Sequence, residues 1–307
     1  MSSMITGVFN ILATPFDESL AVDTGSLRRL VSFQLDKGVH GLTILGVLGE
    51  AAKLTTDERR LVLETVVDEV NGRVPVVVGT SHQNREVTVE LSRQAFAAGA
   101  AAVMIAPPVF EQPGDEAVLA LYDHLAGAFD GAIVVQDFPP VTNVTLSAEV
   151  LAALAARIPA IQLLKLEDPP LMQKIGAVRA LTDRYQIFGG LGGMYFLEEL
   201  RRGASGTMTG FAFSEILVAT YDLFHSGRHA DAERLFDHYL PLIRFENQPV
   251  INLSIRKELL FRRGAIAHPA LRPPFAPIDQ GTRDEIGWML RRVGIADATQ
   301  KLVLAAG

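Results

Sequence analysis

The sequence predicts an α/β fold: a closed (β/α)8 TIM barrel with a C-terminal helical extension. Short apolar segments alternate with amphipathic segments of helical periodicity over residues 7–209. Several apolar segments are apolar on both faces, as parallel strands covered by helices require. Eight strand–helix units joined by right-handed crossovers favour a closed barrel over an open doubly wound sheet. The open sheet is also disfavoured because Ala13-Thr14-Pro15-Phe16 follows the first strand, where a dinucleotide-binding sheet carries G-x-G-x-x-G.

The eight predicted strands are short and rich in branched aliphatic residues; seven of them are followed by a helical segment within the first 203 residues, and the eighth is followed by the helical segment 213–264. We place the barrel in residues 1–212 and the helical extension, packed on the barrel, in residues 213–307. The strands are predicted at residues 7–13, 40–45, 74–79, 101–106, 132–136, 160–165, 186–190 and 204–209.

Helix start signals support this alternation. Thr55-Thr56-Asp57-Glu58 is a cap with an acidic first turn and predicts a helix over residues 55–70. Asn84 and Ser147 are capping residues for helices over 84–99 and 147–159. The segments 213–264 and 280–294 are predicted to be helical throughout.

Composition limits the function classes. Apolar residues make up 49% of the 307 residues and charged residues 21%, so a large core is expected and disorder is not. The net charge is −7 with Lys and Arg scattered, which argues against a nucleic-acid or anionic-membrane surface. The absence of cysteine excludes disulfides, thiolate metal sites and a cysteine nucleophile. With no signal-peptide pattern and no long apolar stretch, we expect a soluble cytoplasmic protein.

Lys165 stands at the end of a predicted buried strand, in the segment IQLLKLEDPP. Catalytic groups of barrels cluster at the carboxyl ends of strands. Burial disfavours the charged ammonium, and a neutral amine can attack a carbonyl to form a Schiff base. The structural alternative is a lysine that pairs with Glu167 or Asp168.

The segment GVLGE follows the second strand. Gly46 and Gly49 allow a tight loop through Val47 and Leu48, and Glu50 follows directly. Backbone N–H groups of such a loop, in front of a helix, can bind a carboxylate. Most loops of this kind are only turns, so the motif alone is weak.

These residues carry a resemblance. GVLGE, LLKLED and GASGTMTG resemble the corresponding segments of the dihydrodipicolinate synthase and N-acetylneuraminate lyase family, and the similarity covers nearly the whole chain. The resemblance implies a (β/α)8 barrel, commonly a homotetramer, in which Lys165 forms a Schiff base with a 2-oxo acid. It also implies that the loop at Val47 and Leu48 holds the carboxylate of that acid.

Several positions depart from the synthase pattern. The synthase has Gly-Thr-Thr-Gly-Glu in the loop and tyrosines that form a proton relay, whereas this chain has Val47, Leu48 and, at the end of the fifth strand, Gln136. Val141 stands where the synthase carries an arginine for its aldehyde substrate. Dihydrodipicolinate synthesis is therefore disfavoured. The segments VVQDFPPVTNVTLS, LKLEDPP, GTMTGFAFSE and LPLIRFENQ instead resemble the 2-keto-3-deoxy-L-arabonate dehydratase branch of the family.

Further polar residues follow other strands. Gln136 and Asp137 alternate along the fifth strand, so only one points into the barrel mouth; Gln136 is a candidate to bind a substrate hydroxyl, and Asp137 is a candidate acid or base. Glu167 can tune the lysine or move protons, and the alternative is a plain salt bridge. The predicted substrate-binding residues are Gly46, Val47, Leu48, Gly49, Glu50, His82, Met208 and Thr209.

The leading functional hypothesis is a cofactor-independent, Schiff-base-forming lyase that dehydrates a 2-keto-3-deoxy sugar acid. Alternatives are a pyruvate-dependent aldolase of a similar acid, dihydrodipicolinate synthase, and a non-catalytic 2-oxo acid binding protein. No sequence motif has metal-ligand spacing, so no metal is expected. We read GGLGG at 189–193 as a turn beside the pocket rather than a phosphate loop.

Overall fold

The computed structural model describes residues 5–302 and contains a closed barrel of eight parallel strands. The strands pair in chain order, and the first pairs with the eighth. The prediction of a (β/α)8 barrel is confirmed, and every predicted strand is present within about two residues of its expected ends. The strands are β1 (Gly7–Ile11), β2 (Gly41–Ile44), β3 (Val76–Gly79), β4 (Ala102–Ile105), β5 (Ala132–Asp137), β6 (Ile161–Leu166), β7 (Gln186–Gly189) and β8 (Gly206–Thr209).

Helices surround the barrel and continue beyond it, and three of them begin at the predicted caps. The Thr55 side chain accepts from the Glu58 N–H while Glu58 accepts from the Thr55 N–H, which makes a capping box. The side chains of Asn84 and Ser147 cap the next two predicted starts. The helices are α1 (Thr24–Asp36), α2 (Thr56–Val70), α3 (Arg85–Ala97), α4 (Asp115–Ala128), α5 (Pro139–Thr142), α6 (Ala148–Arg157), α7 (Leu171–Leu181), α8 (Phe196–Arg201), α9 (Ser214–His225), α10 (His229–Glu246), α11 (Asn252–Arg262) and α12 (Gln280–Arg292).

The barrel interior is filled by apolar side chains that include Phe9, Val134, Leu163 and Phe188. Because side chains of a strand alternate between its two faces, a residue two positions after an interior residue also points inward. We call this interior apolar cluster the apolar plug. The two-residue period places the candidate functional side chains above it, at the carboxyl ends of the strands. A second, larger apolar cluster lies between the strands and the helices.

The segment 213–264 is not one helical region as predicted, but three helices separated at 226–228 and 247–251. Gly227 adopts a left-handed φ of 81°, which ends α9. Helix α9 packs on β1 and α8 and completes the ring of helices, while α10 to α12 extend beyond it. The division of the chain at residue 212 stays a prediction. Within residues 5–302, every helix falls short of the length and apolar character that a bilayer crossing requires.

Candidate active site

A cavity of about 230 Å³ opens at the carboxyl ends of the strands, above the apolar plug. We call it the inner cavity. Its walls combine apolar side chains from the strand ends with a few polar groups, which is typical of small-molecule sites. The lining residues are Ile11, Gly46, Val47, Leu48, Met104, Gln136, Phe138, Val141, Lys165, Glu167, Leu191, Gly192, Met208, Thr209, Asn247 and Asn252.

Lys165 lines this cavity with only 4% of its surface exposed. It follows the interior residue Leu163 by two positions on β6, and its backbone is in register with Gln136 of β5. Its Nζ lies 2.7 Å from Oε2 of Glu167, which is equally buried. An amine and a carboxylate at this separation can exchange a proton directly.

Three groups fix the position of the Glu167 carboxylate. Oε2 accepts from Nε2 of Gln136 at 3.1 Å in addition to pairing with Lys165. Oε1 accepts from the N–H of Leu191 at 3.3 Å. A Cβ added at Gly190 would lie 2.2 Å from Oε1, so the absence of a side chain there makes room for the carboxylate. Gln136 thus acts on the site through Glu167 as well as by lining the cavity.

A second carboxyl group, Glu199, lies behind this arrangement on α8. Burial, and secondarily the charge of Glu167, raises the pKa of Glu199 from 4.5 to about 8. Neither carboxyl oxygen has a hydrogen-bond partner among residues 5–302. Glu199 packs against Gly189, where an added Cβ would overlap its Oε2. Glu199 is therefore protonated and neutral at pH 7.

The loop after β2 supplies another part of the cavity wall, made of backbone groups and apolar side chains. Val47 and Leu48 begin a 3-10 turn, and both line the cavity together with Gly46. The backbone hydrogen bonds of this turn are donated by Gly49 and by the two residues that follow it. Within the described chain this leaves the N–H groups of Val47 and Leu48 free to bind an anion.

Glu50 does not line the inner cavity, and its role in substrate binding stays a prediction. Its side chain is buried and paired with Lys257 at 2.6 Å and Lys53 at 2.9 Å, and it also accepts from the N–H of Arg272. These contacts join the loop to the C-terminal extension, so Glu50 has a structural role. Gly49 does not line the inner cavity, and its carbonyl accepts from the hydroxyl of Thr14.

Asp137 does not line the inner cavity, which contradicts the prediction that it is a candidate acid or base. The alternation of β5 turns its side chain away from this cavity. The interior residue Val134 places Gln136 inward and Asp137 outward. Asp137 pairs with Lys174 at 2.6 Å, and Lys174 also pairs with Asp168. Burial raises the pKa of Asp137 to about 6 despite this cation.

His82 lies in a second, wider space of about 580 Å³ that adjoins the inner cavity and shares Gly46, Val47 and Gln136 with it. We call this space the outer chamber. His82 is exposed, and its Nδ1 accepts from the N–H of Asn84 at 3.0 Å. It does not line the inner cavity, so its role in substrate binding stays a prediction. Met208 and Thr209, two of the predicted substrate-binding residues, lie at the end of β8 and line the inner cavity.

Sequence reasoning missed several lining residues. Asn247 and Asn252 come from the break between α10 and α11 and enter the inner cavity from the C-terminal extension. Leu191 enters from the turn after β7. The Pro249 between the two asparagines marks a helix break in the sequence, but nothing local indicates that this break meets the barrel mouth. Within residues 5–302, no group of three or more His, Asp or Glu side chains is arranged to hold a metal ion.

Comparison with known proteins gives a match over almost the entire chain. Residues 4–293 match the sequence pattern of the dihydrodipicolinate synthetase family. One relative is L-2-keto-3-deoxyarabonate dehydratase of Azospirillum brasilense, 32% identical over 299 residues, which cover 94% of each chain. Another is 4-hydroxy-tetrahydrodipicolinate synthase of Sorangium cellulosum, 32% identical over 94% of this chain and 96% of the relative.

Solved structures agree with the fold. The crystal structure of dihydrodipicolinate synthase from Rhodopseudomonas palustris superposes with a TM-score of 0.89 at 34% identity and covers 94% of this chain and 97% of that one. Relatives of this chain therefore carry the names of more than one reaction, and the choice between them rests on the residues in the cavity.

Proposed function

The chain belongs to the dihydrodipicolinate synthetase family, and on that premise we propose that this lyase forms a Schiff base with a 2-keto-3-deoxy sugar acid and dehydrates it. The observation that carries the proposal is the buried pair of Lys165 and Glu167, 2.7 Å apart in the wall of the inner cavity. A buried lysine beside one carboxylate is an amine that can be deprotonated within the site.

The first stage is formation of the iminium. Lys165 Nζ passes one proton to Glu167 and adds as a neutral amine to C2 of the substrate. The carbinolamine oxygen takes one proton from the nitrogen and a second from Glu167 and leaves as water, and the C2–N double bond forms. The free N–H groups of Val47 and Leu48 bind the substrate carboxylate during these steps.

The second stage uses the electron-withdrawing iminium. Glu167, again a carboxylate, removes a proton from C3 and gives an enamine. The C4–O bond then breaks, and the departing hydroxyl takes the proton from Glu167 and leaves as water. Hydrolysis of the remaining iminium releases the product and the Lys165 amine. One carboxylate therefore serves as base and acid in turn, with Gln136 holding it in place.

Borohydride reduction tests this proposal. With pyruvate present, borohydride should convert the iminium into a stable secondary amine, detected by mass spectrometry on the peptide containing Lys165 and on no other lysine. Lys165→Met keeps the volume of the side chain and should abolish the adduct and lower kcat by at least about 10³-fold. An unmodified Lys165 in the wild-type protein would support the non-catalytic 2-oxo acid binding protein instead.

The same lysine could serve retro-aldol cleavage, in which the C3–C4 bond breaks. Product analysis separates the two reactions, because release of pyruvate from a 2-keto-3-deoxy acid would contradict dehydration. Dihydrodipicolinate synthesis is disfavoured because Gln136 and Val141 line the cavity and no tyrosine of the described residues does. A homotetramer in the cytoplasm remains an expectation from the family resemblance.

A further inference from the structure

We propose that Asn247 and Asn252 determine specificity by binding a hydroxylated, uncharged end of the substrate. Both line the inner cavity, and both come from the C-terminal extension rather than from the barrel. This inference rests on the proposed function, since it describes the part of the 2-oxo acid that does not react. It makes the substrate a monocarboxylate whose tail carries hydroxyl groups.

The charges of the inner cavity leave no place for a second anion. Its charged lining residues are Lys165 and Glu167, and these two are paired with each other. A tail carboxylate or phosphate would lie in this cavity without a cation. Burial of an unpaired charge is strongly unfavourable, so the walls select against such tails.

The Lys53 and Arg59 side chains that line the outer chamber make hydrogen bonds within the protein. Lys53 pairs with Glu50 and donates to the carbonyl of Arg272 at 2.6 Å. Arg59 donates to the carbonyls of Ala51 and Gly79, each at 3.1 Å, while its buried Nε has no partner among residues 5–302. A substrate tail that reaches the outer chamber therefore meets cations whose hydrogen bonds hold the protein together, beside the carboxylate of Glu50.

The orientation of the Asn247 amide is determined by its partner. Its Nδ2 donates to the carbonyl of Leu191 at 2.8 Å, and a carbonyl can only accept. The Oδ1 atom packs beside Gly192 and makes no side-chain hydrogen bond within residues 5–302, so it remains free to accept one. Asn247 thus presents an acceptor to the substrate.

Asn252 has the opposite polarity. Its Oδ1 accepts from the N–H of Leu253 at 2.8 Å, and a backbone N–H can only donate. The Nδ2 group is then the free, donating side of this amide. A hydroxyl group both donates and accepts, so one fixed acceptor and one fixed donor suit a hydroxyl or a pair of neighbouring hydroxyls.

The two asparagines are held on a rigid frame. Glu246, the residue before Asn247, is fully buried, and its Oε1 lies 2.7 Å from Nε of Arg256 on the next helix. Its Oε2 accepts from the N–H of Ala212, just after β8. This ion pair fixes the break between α10 and α11 against the barrel, and pre-organised polar groups discriminate best.

Four 2-oxo acids test the proposal on the wild-type protein by borohydride trapping at Lys165. Pyruvate has no tail, whereas 2-oxopentanoate, 2-oxoglutarate and 2-keto-3-deoxypentonate have five carbons with an apolar, an anionic and a hydroxylated tail. We expect the half-saturating concentration of 2-keto-3-deoxypentonate to be at least about tenfold below that of 2-oxopentanoate, and that of 2-oxoglutarate to be the highest. Adducts of substrate and product are counted together.

Asn252→Asp keeps the shape and the acceptor for Leu253 but removes the donor. It should reduce the preference for 2-keto-3-deoxypentonate over 2-oxopentanoate about tenfold, and Asn247→Leu should do the same. Gln248→Glu is the matched control, because its side chain does not line the cavity and its preference should stay that of the wild type.

Equal trapping of the two tails by the wild-type protein would overturn the inference, as would an unchanged preference in both asparagine variants. These outcomes differ from failure of the proposed function, in which not even pyruvate forms an adduct. A ratio between two acids also separates recognition from instability, since partial unfolding lowers trapping of both acids equally.

Discussion

At the scale of single residues, the proposed reactivity of Lys165 depends on the carboxylate of Glu167. The sequence left two readings open, a buried neutral amine or a lysine paired with Glu167. The structure contains the pair, with Nζ of Lys165 2.7 Å from Oε2 of Glu167, and the proposed mechanism transfers a proton from Lys165 to Glu167 before the amine attacks. In this mechanism, proton transfer requires the fixed position of Glu167 as well as the amine of Lys165.

Glu199 lowers the stability of the folded protein at neutral pH, because it must hold a proton that it would otherwise release. Its folded pKa is about 8, against 4.5 in the unfolded chain, so folded protein holds a proton that unfolded protein releases between these values. The stability of the wild type is full below pH 4.5 and falls as the pH rises towards 8. Glu199→Gln removes the titration and should be more stable than the wild type by about 2 kcal/mol at pH 7, and little different at pH 4.5.

Urea unfolding of both proteins at several pH values measures this difference. Glu64→Gln is the control, because Glu64 is an exposed carboxylate on α2 whose charge does not contribute to the pKa of Glu199, and it should leave the pH dependence unchanged. A constant offset between wild type and Glu199→Gln from pH 4.5 to 8 would show that Glu199 does not hold its proton.

At the scale of elements, the glycine-rich segment 189–193, at the end of β7, makes room for two buried carboxyl groups. Gly189 gives room to Glu199, and Gly190 gives room to Glu167. Gly192, with a left-handed φ of 70°, lets Asn247 approach from the extension. The GGLGG motif therefore serves close packing around the site, which the reading as a plain turn did not anticipate.

Gly190→Ala tests this role. The new Cβ would lie 2.2 Å from Oε1 of Glu167, so the carboxylate must leave its observed position beside Lys165. We expect kcat to fall about 10²-fold, since misplacement of a proton-transfer group by 1 Å has effects of that size. Steady-state kinetics measures it, and Gly127→Ala, at a position with open space, is the control. Wild-type kcat in Gly190→Ala would show that Glu167 does not move protons in the reaction.

The sequence allowed us to predict those features that depend on residues close together in the chain. Strand positions, the inward direction of Lys165 and the three helix caps all follow from patterns a few residues long. The partners of Glu50 and the origin of Asn252 do not, because Glu50 and Lys257 are 207 residues apart in the chain. Asp137 was one of two alternating candidates, and only the register of β5 decides between them.

At the scale of the whole molecule, the C-terminal extension completes the site instead of only covering the barrel. Glu50 pairs with Lys257 of α11, and Glu246 pairs with Arg256 of the same helix. The loop after α11 then returns to the barrel mouth through Arg272. The same contacts that hold the extension in place also position the loop after β2, which we propose to bind the substrate carboxylate, and the two cavity asparagines.

The Arg272 contact predicts how this docking depends on pH. Its guanidinium donates to both carboxylate oxygens of Glu58 and to the carbonyl of Leu20. Hydrogen bonds from Arg272 lower the pKa of Glu58 from 4.5 to about 2. A depressed folded pKa gives stability that is present above pH 4.5 and is lost as the pH falls towards 2.

Glu58→Gln removes this dependence while keeping a residue suited to the capping box with Thr55. Between pH 5 and pH 3, the wild type should lose about 1 kcal/mol more unfolding free energy than Glu58→Gln, a modest value because the pair is partly exposed to solvent. Urea unfolding across this range measures the loss. Asp57→Asn, an exposed carboxylate in the same helical turn, should follow the wild type. Parallel pH curves for wild type and Glu58→Gln would mean that Arg272 holds the extension through the carbonyl of Leu20 and not through this carboxylate.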